Sequence, residues 1–122
     1  MNSQVLAAVD DMFFASKIRG CAEQLDIEVR FVRSAEAMLE SARRLKPSLL
    51  IVDLHWQRGD PFALARVLKA DEQLRDVPVL GFFSHVQTEL QRRAEEAGYD
   101  RVMPRSAFTI HLPEILEQSS QA

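Results

Sequence analysis

The sequence predicts an α/β fold in which five strand-helix units build a parallel sheet covered on both faces. Two observations lead there. Short apolar, β-like runs alternate with longer segments of helical period along the whole chain. The run "SLLIV", residues 48–52, is apolar without alternation, as a strand buried on both faces must be. Parallel strands need crossover helices, and right-handed crossovers place those helices on both sides of the sheet.

The elements follow in order. "VLAAV" is the first strand, and Phe14, Ile18, Cys21, Ala22 and Leu25 recur at helical spacing behind it. "EVRFV" alternates with period two and is the second strand. Ser34 is placed to cap a helix whose apolar face is Met38, Leu39, Ala42 and Leu45, and Pro47 punctuates the passage into the third strand. Asp60 followed by Pro61 is a cap and first-turn signature for a helix with Leu64, Val67 and Leu68 on one face, ending near Ala70 or Asp71. "VPVLGFF" is the fourth strand; Val86, Leu90, Ala94 and Ala97 mark the next helix, and Gly98 stops it. "RVM" is a short fifth strand. The last helix carries Phe108, Leu112, Ile115 and Leu116, with Pro113 predicting a late start or a kink.

Composition narrows the function. A chain of 122 residues fits one domain over 1–122, with no output domain expected after it. With 47% hydrophobic and 27% charged residues it reads as an ordinary globular chain, and no segment approaches the roughly 18 apolar residues of a membrane span. "MNSQVLAAVDD" lacks the features of an export signal, so a cytoplasmic location is expected. A net charge of -3 without a dense basic stripe argues against a nucleic-acid surface. Cys21 is a lone cysteine on an apolar helical face, which points to core packing.

Ligand chemistry in such a sheet belongs at the carboxyl ends of the strands. The residues predicted there are Asp10 and Asp11 after strand one, Asp53 at the end of strand three, Ser84 after strand four and Arg105 after strand five. Three carboxylates on one edge repel one another unless a cation lies among them, and a hard divalent ion such as Mg2+ suits them. Ser84 could donate to a phosphoryl oxygen and Arg105 could compensate its charge. Together they describe a site that accepts a phosphoryl group.

In these motifs the chain resembles a response-regulator receiver domain of two-component signalling, over nearly its whole length. "AAVDDMFF" is similar to the family's acidic pair, "LIVDL" to the segment of its phosphoacceptor, "VPVLGFFSH" to that of its hydroxyl residue and "AGYDRVMPR" to that of its lysine. The resemblance implies a flavodoxin-like, doubly wound, five-stranded parallel sheet. It also implies Asp10, Asp11, Asp53 and the His55 backbone carbonyl as Mg2+ ligands, Asp53 as phosphoacceptor, and Ser84 and Arg105 as the groups that gather its oxygens. The implied partners are a histidine kinase or phosphotransfer protein, a downstream protein that reads the conformational change and, in some cases, a second copy in a homodimer.

The chain also departs from the family pattern. Arg105 stands where the family has lysine, and its planar fork is not a compact ammonium. His85 follows Ser84 where a small residue is usual, and Val102 replaces a switch aromatic. Ser106 removes the usual Lys-Pro step, which predicts a rebuilt loop around Pro104. The loop "HWQRGDP" is unusual too: His55 could tune hydrolysis of an aspartyl phosphate, and Trp56 is either a partner anchor or a partly buried loop aromatic. Each site residue also has a plainer reading: Asp10 and Asp11 as charges at a helix start, Ser84 as a cap, Arg105 as a surface cation, His55, His85 and His111 as solvated histidines. Two functions remain open: a phosphoryl-driven switch, and a pseudo-receiver in which Arg105 bridges Asp53 and the fold serves protein interaction alone. A small Mg2+-dependent phosphatase would need a lid to exclude water, so a signalling module rather than an enzyme is expected.

Overall fold

The computed structural model describes residues 4–84 and 88–120. Among these residues five strands and five helices alternate in the predicted order: β1 (Gln4–Ala8), α1 (Met12–Gln24), β2 (Glu28–Phe31), α2 (Ala35–Leu45) and β3 (Leu49–Asp53), then α3 (Pro61–Ala70), β4 (Val79–Phe83), α4 (Thr88–Ala97), β5 (Arg101–Pro104) and α5 (Arg105–Ser120). Every strand pair is parallel and the spatial order is β2-β1-β3-β4-β5, the doubly wound arrangement expected.

The inner strands are buried on both faces, and their alternating side chains feed two cores. Leu6, Leu50 and Val52 pack with Met38, Leu64 and Leu68 beneath α2 and α3. Val5, Ile51 and Phe82 pack with Ile18, Phe108 and Leu112 beneath α1 and α5. Cys21 is half-buried against this second core, as its helical spacing predicted. Val102 is half-buried against the first, an aliphatic filler where a ring was the family's habit.

Local chemistry sets the helix starts. Ser34 accepts from the Ala37 N–H at 3.0 Å, and one Asp60 oxygen accepts from the Phe62 and Ala63 N–H groups at 2.9 and 3.1 Å. Asp60→Ala is expected to cost about 1 kcal/mol, measured as a shift in the urea midpoint at unchanged slope. At the other end of α4, Gly98 has φ +117°, and a side chain there would sit 2.8 Å from Lys69 Cγ. Glycine is required at that stop.

Three expectations are corrected. Val67 is 45% exposed, because α3 buries Leu64, Ala65 and Leu68 and turns Val67 off that stripe. Of the late start or kink expected from Pro113, the late start is excluded: α5 begins at Arg105 and runs through the exposed Pro113, with the buried Phe108, Leu112, Ile115 and Leu116 on either side of it. Finally, β5 ends at Pro104 where α5 begins, so the loop expected around Pro104 is eliminated, not rebuilt. Val86 and His85, expected at the start of α4 and beside Ser84, lie outside the described residues. No helix among the described residues is long and apolar enough to cross a membrane.

Candidate functional site

The strand order reverses at β1, with β2 on one side and β3 on the other, and a crevice opens outside their carboxyl ends at such a point. Asp10 and Asp11 leave β1 there, and Asp53 is the last residue of β3. Asp53 is 6% exposed and the one charged residue within the core among those described. One of its oxygens accepts from the His55 N–H at 2.9 Å. The other lies 3.7 Å from Arg105 Nη2.

Arg105 ties the site together. Its Nη1 lies 3.5 Å from Asp11 Oδ2, so one guanidinium spans two carboxylates on different strands' ends. The same guanidinium sits over the Phe14 ring at 4.5 Å and near the Phe82 ring at 5.7 Å, cation-π contacts that hold its plane. Placing Arg105 at the first turn of α5, directly behind the strand, lets its side chain reach inward and leaves it only 30% exposed. The remaining Asp11 oxygen caps α1 by accepting from the Phe14 N–H at 3.0 Å. That bond, followed by the attraction of Arg105, holds the Asp11 carboxyl below its ordinary pKa.

Asp10 is engaged separately. Arg58 Nε donates to Oδ1 at 2.9 Å and the Gln57 N–H to Oδ2 at 3.1 Å, which pins the loop after β3 to the end of β1. The Gln57 side-chain amide donates to the His55 carbonyl at 3.1 Å. Every oxygen expected to bind Mg2+ therefore has a partner: both of Asp10, both of Asp11, the two of Asp53 and the His55 carbonyl. Among the described residues no three His, Cys, Asp or Glu side chains gather as a metal would need. The donor set in this arrangement does not fit a divalent ion unless Arg58 and Arg105 move away.

Burial raises the Asp53 pKa, against the opposing pull of the His55 N–H and Arg105 and with a smaller push from Asp10. A carboxyl whose folded pKa lies above its unfolded value binds its proton more tightly when folded, so its contribution to stability is lost as pH rises through the folded value. Asp53→Asn is therefore expected to unfold at higher temperature than the parent at neutral pH. The gain should vanish below about pH 4, where the unfolded Asp is also protonated, and thermal melts across pH check it.

Of the expected site residues, Asp11, Asp53 and Arg105 are brought together, Asp10 is tied to the neighbouring loop, and Ser84 is an exposed residue just past β4. Trp56 is 3% exposed inside the α3-side core, which overturns its reading as a partner anchor. The ring fills space left by Gly59, where a Cβ would lie 2.8 Å from it. Sequence reasoning missed two members. Arg58 carried no role although it stands in the quoted loop, and Phe14 was assigned to the core alone; neither contact has a local signature, since Arg58 and Asp10 are 48 residues apart.

No family model matches the sequence, and no curated protein is similar to it by sequence. Solved structures are similar in fold. The chemotaxis response regulator CheY4 of Vibrio cholerae superposes with a TM-score of 0.83 at 15% identity, over 98% of this chain and 99% of that one. The receiver domain of a signal transduction histidine kinase from Syntrophus aciditrophicus gives 0.83 at 21% identity, over 98% and 90%. The Mn2+-bound response regulator Rcp1 gives 0.78 at 13% identity, over 93% and 91%.

Proposed function

We propose, from a chain whose fold is that of the response-regulator receiver domains, that it is a signalling module of receiver type which works through protein contact without a phosphoryl cycle. One observation carries this reading: the Arg105 guanidinium bridges Asp11 and Asp53, two of the carboxylates expected to hold Mg2+, and so competes with an exchangeable cation for their oxygens. An arginine stays charged at any physiological pH and cannot dissociate from the chain. It would act as a resident counter-ion, holding the ends of β1, β3 and β5 in one arrangement. Arg58 on Asp10 holds the third carboxylate in the same way. The partner class is then a downstream protein that recognises this fixed state of the receiver surface.

The phosphoryl-driven reading keeps Asp53 as acceptor, Asp10, Asp11 and the His55 carbonyl on Mg2+, Ser84 and Arg105 on the phosphoryl oxygens, and a histidine kinase or phosphotransfer protein as donor. Amide proton-nitrogen spectra distinguish the two. Spectra would be recorded for the protein alone, with millimolar Mg2+, and with Mg2+ plus beryllofluoride, a stand-in for a phosphoryl group, using Asp53→Asn as control. The expected result is an unchanged spectrum around Asp10, Asp11 and Asp53. Saturable shifts there that extend with beryllofluoride to Ser84 and α5, and that Asp53→Asn abolishes, would overturn the proposal in favour of the phosphoryl switch.

A further inference from the structure

A second concavity, lined by Asp10 but not by Arg105, lies between the start of α1 and the carboxyl ends of β1 and β2. Its volume is about 280 Å³, and three arginines are among the residues that line it: Arg19 from α1, Arg33 just past β2 and Arg58 from the loop after β3. A single carboxylate, Asp10, faces them there. The floor is apolar, with Val9 and Val32 buried, Phe31 half-buried and the 83% exposed Met12 at the rim.

Two of the arginines are held in place. Arg19 lies over the Phe31 ring at 4.9 Å, and Arg58 is fixed by its 2.9 Å bond to Asp10. Arg33 is exposed and makes no ion pair or hydrogen bond from its side chain to any described residue. Three arginines against one carboxylate leave this hollow locally positive on a chain of net charge -3, which favours an anion there. Guanidinium forks match phosphate and carboxylate oxygens in pairs, and Phe31, Val9 and Met12 offer an apolar wall beside them. The volume falls at the small end of ligand pockets and leaves no room for a dinucleotide.

We propose that this arginine-lined crevice binds a small organic anion, a phosphate or carboxylate carried on a short apolar body. The proposal stands whether or not Asp53 accepts a phosphoryl group. It also couples the crevice to the carboxylate site, because a ligand that engages Arg58 competes with Asp10 for the same guanidinium, and Arg58 belongs to the loop that follows Asp53. Ligand entry would free the Asp10 oxygen that Arg58 holds, next to the one that accepts from the Gln57 N–H.

Phenyl phosphate is the probe, with inorganic phosphate as the anion lacking an apolar body and sodium chloride at matched ionic strength as the screening control. Amide spectra of the full chain are followed during titration. The expected result is saturable shifts at Val9, Phe31, Val32 and Arg33, spreading to His55 and Gln57, with phenyl phosphate tighter than phosphate and chloride without effect. Arg33→Gln and Arg19→Gln should each weaken binding about tenfold, the loss of one charged hydrogen-bonding group, and Arg33→Lys should fall between. Absence of saturation up to about 10 mM, which is weaker than any useful specific site, overturns the proposal. So do shifts reproduced by chloride, shifts indifferent to both glutamine variants, or shifts centred on Lys17 and Thr109 beside Arg105.

Discussion

Arg105→Met should lower stability at neutral pH by about 1–3 kcal/mol, because it leaves Asp53 ionised in the core without its cation. Removing one member of a buried pair costs about 3–5 kcal/mol and removing an exposed one about 0–1. This cluster stands between: the Asp53 side chain is 9% exposed, Arg105 30% and Asp11 39%, and both contacts are long at 3.7 and 3.5 Å. The pH dependence identifies the cause. Without Arg105 the Asp53 pKa rises further, so the deficit should be largest at neutral pH and shrink as Asp53 takes up its proton in acid. Asp53→Asn in the same chain should recover most of the loss. Millimolar Mg2+ should stabilise the double variant Arg105→Met, Arg58→Gln and leave the parent unaffected, since only there are the Asp10, Asp11 and Asp53 oxygens released together. Urea unfolding at two pH values, with and without Mg2+, measures all of this. Equal stability of variant and parent at neutral pH would remove Arg105 from the role of resident cation.

Phe82→Ala should have a larger effect, about 3–5 kcal/mol, enough to lower the melting temperature by roughly 10 °C or more. Phe82 is fully buried in β4 and stacks on Phe108 at 4.9 Å with 15° between the rings, while Phe14 meets Phe82 at 4.9 Å and Phe108 at 5.6 Å. Three aromatic rings from α1, β4 and α5 thus form one cluster, and Arg105 lies against two of them. The cavity left by alanine would be surrounded by rigid rings and sheet backbone that collapse poorly. Phe82→Leu keeps most of the volume and should cost only about 1 kcal/mol. If the two variants were equally stable, the ring cluster would not be a principal support of the α1-α5 side.

The aromatic cluster explains why the site is built on its floor. Phe14 was legible in the sequence as a core residue because its neighbours recur at helical spacing. Its second use, as a surface for a cation, depends on where a residue 91 positions later arrives, and nothing in the pattern around Phe14 encodes that. Trp56 shows the reverse. Its place in the polar loop "HWQRGDP" left open a partner anchor or a partly buried loop aromatic, and the chain turns it fully into the α3 core, where Gly59 makes room for the indole. A loop's polarity describes its backbone's need for water or hydrogen bonds, and a single ring can leave that environment when a neighbour is small enough.

By itself the sequence determined the strand and helix alternation, the caps Ser34 and Asp60, the Gly98 stop and the position of Asp11, Asp53 and Arg105 at strand ends. These follow from periodicity, turn chemistry and burial, which act between residues a few positions apart and so are written in short windows of the chain. Only the tertiary structure decided that Arg105 reaches Asp11 across 94 residues, that Arg58 reaches Asp10 across 48, and that the strand leads into α5 with no loop between. Those outcomes turn on the direction in which a long, flexible side chain points once the sheet has closed. That direction is selected by charges and rings contributed from distant parts of the chain, and no local pattern carries it.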